Sequence, residues 1–215
     1  MNTTVASPRK DKTTNRKRDI LNAALALFDA EGASGVTIEG LVRAAGASVG
    51  SIYHHFGNRD GVMAALYEAG LDDYRLGLLR AVEEQPSARG KVEALVRFHL
   101  MWAEKNPAWA RYLLQARRAP EVQGADGSIR QTTDAFGRRV FALFQPHIKA
   151  DEIRRSHKDL YLPMVVGAAH EFTRRFLTGR TEAGPKDVAD ELAAATWRAV
   201  AVEPTPKERS ARRKK

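Results

Sequence analysis

The sequence predicts an all-α protein of about nine helices. Apolar residues recur at the i, i+3, i+4 spacing of amphipathic helices along most of the 215 residues. No segment shows the sustained apolar–polar alternation of a half-buried strand. Proline, glycine, serine and asparagine fall between the apolar runs, where helices stop and start.

Ile20, Ala23, Ala24, Leu27 and Phe28 set a first helix over about 15–31, stopped at Gly32. Two short helices follow within 36–59, VTIEGLVRAAGASVGSIYHHFGNR. Ile38, Leu41 and Val42 define the buried face of the first. Gly46 suits a left-handed C-cap, because a residue without Cβ takes positive φ at no steric cost. Ser48 is placed to N-cap the second, 49–56, whose Ile52 and Phe56 share one face and leave Ser51, Tyr53, His54 and His55 pointing elsewhere. A short helix with this many outward hydrogen-bonding groups fits the second helix of a helix-turn-helix, the element that enters a DNA major groove. Asn58 then caps a fourth helix to about Glu84. Pro86 and Ser87 restart the chain for a fifth over about 88–105. Asn106 and Pro107 open a helix to about Ala116. Residues 117–128, with Pro120, Gly124 and Gly127, read as a loop. Helical spacing resumes from Ile129 to Phe144, stopping before Pro146. It returns over about 159–178 and 185–202.

The net charge of +9 is uneven. Residues 1–18 hold six Arg/Lys against one acid and residues 203–215 hold six against two, leaving 23 basic and 23 acidic residues in 19–202. The excess charge therefore sits at the two ends. A basic arm attracts polyphosphate by releasing condensed counterions, whereas a charged tail also serves solubility. The arm running into the first helix is assigned to DNA, and the tail ERSARRKK to solubility. With no cysteine, disulfides and thiolate-bound metals are excluded. The lack of a spanning apolar run or an apolar leader predicts a cytoplasmic protein that engages no membrane.

Gly46, Ser48, Gly50, Tyr53, His54, Phe56 and Asn58-Arg59-Asp60 together resemble the DNA-binding domain of the tetracycline-repressor (TetR) family, and ILNAALALFDAEG and VTIEGLVRAAG fit its first two helices. The resemblance covers about residues 16–70. It implies a three-helix helix-turn-helix DNA-binding domain plus a helical ligand-binding and dimerisation domain. The expected division is a flexible basic arm at 1–14, a DNA-binding domain at 15–60 with its helix-turn-helix at 37–56, a second domain at 61–202 and a basic tail at 203–215. Thr37 opens a helix where its hydroxyl and free N–H groups can hold a phosphate. Ser48, Val49, Gly50 and Ser51 occupy the turn that meets base edges in such folds: Val49 suits a thymine methyl and Gly50 a close backbone approach. Tyr53 and His54 resemble the family's phosphate-contacting pair, and His55 is expected to face DNA as well. Arg59 stands where the family usually has lysine and retains the charge for the backbone. Glu39 is a departure, since a carboxylate repels phosphate. The bland reading of Tyr53 as a core aromatic and of the two histidines as solvated surface is weighed against these roles; Phe56 is read as core outright.

For the second domain the candidates for a ligand pocket are His99, Trp102, Trp109, Tyr112, Phe136, Phe144, Met164, His170 and Phe172, aromatics with a few polar groups of the kind that line small-molecule cavities. Aromatics at helical spacing are equally ordinary core. His99 is either a ligand contact or a satisfied core histidine. Gly167-Ala168-Ala169 and Ala193-Ala194-Ala195 suit close helix approach, in a dimer interface or within one chain. No HExxH, phosphate loop or GxSxG elbow occurs, so neither metal, cofactor nor catalysis is expected. The expected function is a ligand-responsive regulator, a repressor. It would bind double-stranded DNA at an inverted repeat as a homodimer, released by a small apolar or amphipathic effector. The alternatives are a sequence-nonspecific DNA-binding protein and a helical enzyme acting on an apolar substrate.

Overall fold

The structure is a computed structural model that describes residues 8–124 and 127–202. Residues 1–7 of the expected basic arm and the whole of the tail 203–215 lie outside the described residues. Within the described residues there are ten α-helices, a 3-10 turn and no strand beyond one isolated bridge. They run α1 Pro8–Glu31, the 3-10 turn Ala33–Gly35, α2 Ile38–Ala45, α3 Val49–Phe56, α4 Arg59–Glu83, α5 Ala88–Lys105, α6 Pro107–Ala116, α7 Pro120–Gln123, α8 Ser128–Lys149, α9 Lys158–Leu177 and α10 Pro185–Val200. The all-α expectation is met. None of these helices is long and apolar enough to cross a membrane.

Several expected caps are present. Asn58 Oδ1 accepts from Gly61 N at 2.8 Å and Ser87 Oγ from Gly90 N at 3.0 Å, each taking one of the orphan donors of a first helical turn. Three boundaries differ from expectation. Helix α1 begins at Pro8 rather than about residue 15. The expected loop 117–128 contains α7, which Pro120 opens at a position where a missing N–H costs nothing. Helix α8 does not stop before Pro146 but runs through it to Lys149. Pro146 and Ala142 are both exposed, so solvent can satisfy the carbonyl that the proline leaves without a partner.

The chain divides into two compact units: residues up to Asp73 together with Asn106–Thr132, and Tyr74–Lys105 together with the residues from Thr133 onward. The first unit extends well beyond residue 60. Its core joins Ile20, Ala24 and Phe28 of α1, Leu41 of α2, Ile52 of α3, Val62, Met63 and Leu66 of α4, and Tyr112 of α6. Tyr112 is fully buried, with its ring edge-on to Phe28 at 4.8 Å. Its hydroxyl donates to the Met63 carbonyl, and burial pushes its pKa up. Arg111 adds an ion pair to Asp29 at 2.6 Å.

In the second unit α5 packs against α9 and α10. Val96 and Leu100 meet Ala169, Ala189 and Ala193, whose small side chains permit close helix approach. A larger cluster joins Leu78, Val82, Val92, Leu95, Phe144, Val166 and Val200. Glu93 is buried between Arg89 at 2.7 Å and Arg97 at 3.1 Å, and Arg97 reaches Asp190 of α10 at 2.7 Å. Burial raises the Glu93 carboxyl, but the hydrogen bonds and charge of the two arginines outweigh it and hold the group below its usual value. The end of α10 is fastened by backbone hydrogen bonds from Arg154 to Val200 and from Val202 to Glu152.

Removing the Tyr112 hydroxyl leaves a buried carbonyl that still has its helical partner. Tyr112→Phe is therefore expected to lower the unfolding free energy by about 1 kcal/mol, and Tyr112→Ala by about 3–5 kcal/mol through the cavity it leaves. Urea unfolding of the two variants measures both, and equal losses would mean that the ring contributes nothing beyond its hydroxyl.

Candidate nucleic-acid interface

The helix-turn-helix is held by caps at each corner. Thr37 takes an extended backbone, and its Oγ1 accepts from Gly40 N at 3.0 Å. At the other end of α2, Gly46 is left-handed, with φ 58° and ψ 31°. Ser48 Oγ accepts from Ser51 N at 3.1 Å and opens α3. The first turn of α4 then passes so close to the end of α3 that a Cβ on Gly61 would lie 1.9 Å from the Phe56 carbonyl oxygen, so only glycine fits there. Glu39 sits exposed in the first turn of α2, where a carboxylate is favoured by the helix dipole.

Helix α3 is eight residues long and buries Ile52 completely, with Phe56 and His55 partly covered. Its other face is open. Val49 and Tyr53 are each 51% exposed, and Ser48, Gly50 and His54 are exposed as well. Thr37 is exposed at the start of α2, and Ser51 is half-buried. An exposed valine and tyrosine on an otherwise polar helix face are available to a partner's apolar and phosphate groups. Tyr53 is therefore not the core aromatic of the bland reading. Gly50 has no positive φ, and a Cβ there would meet nothing within 4 Å.

Arg59 does not follow the expected pattern. Its guanidinium turns inward: Nε donates to the Val36 carbonyl at 2.7 Å, Nη2 donates to the Ala33 carbonyl, and Nη1 pairs with Asp60 at 3.0 Å. A second arginine, Arg16 of α1, was not singled out by spacing because it falls in a basic run. Its Nη1 donates to the Gly46 carbonyl at 3.2 Å and approaches that of Ala45 at 3.4 Å. Partial burial, together with the positive charges of His54, Lys17 and Arg16, holds the His55 imidazole below its usual value. The N-terminal half of α1 is thus part of the positive field beside α3.

The candidate pocket residues separate. Trp109 and Tyr112 belong to the first unit, with Trp109 lying over Gly70 and Tyr112 in the core. In the second unit Phe144 is buried in the larger cluster, with Phe136 and Met164 packed against it, and Phe172 joins the smaller one. His99, Trp102 and His170 gather beside Tyr74, which sequence reasoning did not select and which packs against the same larger cluster as Phe136 and Met164. His99 Nδ1 is hydrogen-bonded to the Tyr74 hydroxyl at 3.0 Å and Nε2 to the Thr173 hydroxyl at 3.1 Å. The His170 ring lies 4.5 Å from that of His99, and Trp102 is edge-on to Tyr74 at 5.1 Å. Burial and then the His170 charge push His99 down to about 3. An open groove of about 300 Å³ in the same unit, between Ala81, Gly90, Ala94, Phe98 and Met101, is lined by none of the nine candidates. No group of three or more histidines and acids that could hold a metal occurs among the described residues.

Comparison with known proteins matches the same region. The family model for bacterial regulatory proteins, tetR family, matches residues 20–66, from Ile20 of α1 to Leu66 of α4. Over 169 residues the chain is 24% identical to a nucleoid occlusion factor, SlmA, of Marinobacter nauticus, covering 78% of this chain and 83% of that protein. Over 56 residues it is 41% identical to an HTH-type transcriptional repressor, AcnR, of Corynebacterium glutamicum, covering 26% of this chain and 30% of the repressor. It spans about half the length of several other curated relatives. In structure it resembles a transcriptional regulator, FadR, of Bacillus subtilis solved with stearoyl-CoA, with a TM-score of 0.74 at 14% identity over 85% of this chain and 98% of that one. That likeness establishes the fold.

Because the folded state resists protonating His99 and the unfolded chain does not, the stability it contributes is complete above pH 6.5 and is lost as pH falls toward about 3. Between pH 7 and pH 5 the expected loss is about 2 kcal/mol. His99→Gln keeps hydrogen-bonding capacity without the titration, so its urea-unfolding free energy should vary less over this range. An undiminished pH dependence in that variant would assign the effect to other groups.

Proposed function

We propose that this chain, which belongs to the tetR family of bacterial regulatory proteins through residues 20–66, is a ligand-responsive transcriptional repressor that binds an inverted-repeat operator as a homodimer. The observation that carries the proposal is the open face of α3, where Ser48, Val49, Gly50, Tyr53 and His54 are exposed on a helix whose caps and core fix it at both ends. Ser48, Val49, Gly50 and Ser51 would meet base edges, while Thr37, Tyr53, His54 and His55 would hold the phosphates on either side. One such helix reads few bases. A two-fold dimer reads two half-sites, which argues for the homodimer, and the small residues of α9 and α10 that remain accessible, Gly167, Ala168, Ala194 and Ala195, suit its interface.

The effector would be a small apolar or amphipathic molecule entering the second unit. The FadR regulator that this fold resembles was solved with an acyl-CoA, which supports that class. His99 offers a polar anchor, because a ligand hydroxyl, carboxyl or amide can take the place of Tyr74 or Thr173 on its ring nitrogens. Tyr74 lies on α4, the helix that opens at Arg59 immediately after α3, so displacing it would bias the same helix that adjoins the DNA-reading element. The effector shifts the equilibrium only by its differential affinity for the two states.

A second reading comes from the likeness to the nucleoid occlusion factor, in which the chain serves nucleoid occlusion rather than the control of one promoter. Selection of genomic fragments by the purified protein at physiological salt tests both. Recovery of one inverted repeat beside a gene supports the repressor, dispersed copies support the second reading, and absence of any preference sinks the site-specific proposal. Gly50 supplies an independent test, since nothing in the fold requires a glycine there. Gly50→Ala is expected to raise stability by about 0.5–1 kcal/mol from helix propensity and to weaken operator binding about tenfold by holding the backbone away from the duplex. A stabilised variant with undiminished affinity would remove the close approach.

A further inference from the structure

We infer that Arg16 and Arg59 are positioning residues that set the orientation of the recognition helix by gripping α2 at its two ends, and that Arg59 is not a phosphate contact. The assignment rests on the DNA-binding reading above. Arg59 reaches back across the start of α2, with Nε on the Val36 carbonyl at 2.7 Å and Nη2 on that of Ala33. Both carbonyls precede Thr37, the N-cap of α2. Arg16 holds the other end, at Gly46 and Ala45, where the unsatisfied carbonyls and the negative end of the helix dipole favour a cation.

The two grips matter because α3 has little else to hold it. Ile52 is its one fully buried side chain, and a helix of eight residues has little stability of its own in water. The rotation of α3 therefore follows from the turn at Gly46–Ser48, and the carbonyl of Gly46 is the atom Arg16 holds. The fork geometry of guanidinium is also needed at Arg59, which bridges two carbonyls and a carboxylate at once. A lysine ammonium has the charge but no planar fork. The arginines are committed to the protein's own backbone, whereas Lys17 and Tyr53 nearby are exposed.

The test uses the full chain and two labelled duplexes of equal length, one carrying the inverted repeat recovered by the selection above and one shuffled. Arg16→Ala, Arg59→Ala and Arg59→Lys are titrated against both over a range of salt, with Lys17→Ala as a comparator at an exposed charge. The expected result is a fall of about tenfold in affinity for the repeat in all three arginine variants, with shuffled-duplex affinity and its salt slope unchanged and no rescue by lysine. Amide exchange should quicken in α2 and α3 while the cores of both units stay protected. For Arg59, loss of affinity for both duplexes with a slope reduced by about 0.9, restored by Arg59→Lys, would assign a phosphate contact and overturn the inference. Lower melting temperature with an unchanged ratio between the duplexes would reduce both arginines to structural groups and overturn it as well; Arg59→Lys and Arg16→Gln serve if an alanine variant fails to fold. If the unsubstituted protein shows no preference between the duplexes, the site-specific reading itself falls, and this assignment with it.

Discussion

An eight-residue helix with one fully buried side chain cannot hold its own orientation, and the first compact unit is arranged around that constraint. Ile52 anchors α3 to the core, Ser48 satisfies a donor at its start, and Gly57 returns its N–H to the Tyr53 carbonyl at its end. The rest of the hold is indirect. Gly46 turns the chain out of α2, Gly61 lets α4 pass against the Phe56 carbonyl, and the two arginines fasten the backbone on either side of α2. All of this holds the buried face of α3, so that Val49, Gly50, Tyr53 and His54 remain open to a partner.

The same unit recruits helices from later in the chain. Tyr112 brings α6 into the core with Phe28 and Met63, and Arg111 adds an ion pair at the surface of α1. A buried tyrosine that satisfies its hydroxyl on a backbone carbonyl contributes both apolar burial and direction, because the hydroxyl admits few arrangements. In the second unit, Tyr74 has the corresponding place, its hydroxyl bonded to His99 Nδ1 while Thr173 takes Nε2. Helix α4 thus carries a tyrosine-bonded carbonyl in one unit and a histidine-bonded tyrosine in the other.

His99 illustrates how packing decides between two chemically sensible roles. In sequence it is a polar group on an apolar face. In the folded chain both ring nitrogens have hydroxyl partners, and burial with His170 alongside keeps the ring neutral. A group so placed keeps its hydrogen-bonding capacity without a charge, and Tyr74 and Thr173 use both of its ring nitrogens.

The sequence by itself determined the helical class, the three-helix context of the turn and the caps at Ser48, Asn58 and Ser87, because periodicity and capping act over three or four residues and are written locally. It also determined that Tyr53 and His54 face outward, since Ile52 and Phe56 define the inner face, but Ser51 and His55, read as outward too, are half-buried. It misplaced the end of α8 and missed α7, where a proline's effect depends on whether nearby carbonyls reach solvent. The commitment of Arg59 and Arg16 to backbone carbonyls, the place of Trp109 and Tyr112 in the first unit, and the choice of Tyr74 and Thr173 as partners of His99 were decided only by tertiary structure. Those contacts join residues 23 to 84 positions apart, with the exception of Asp60 beside Arg59, and no local spacing encodes which distant ring, carbonyl or hydroxyl a side chain will meet.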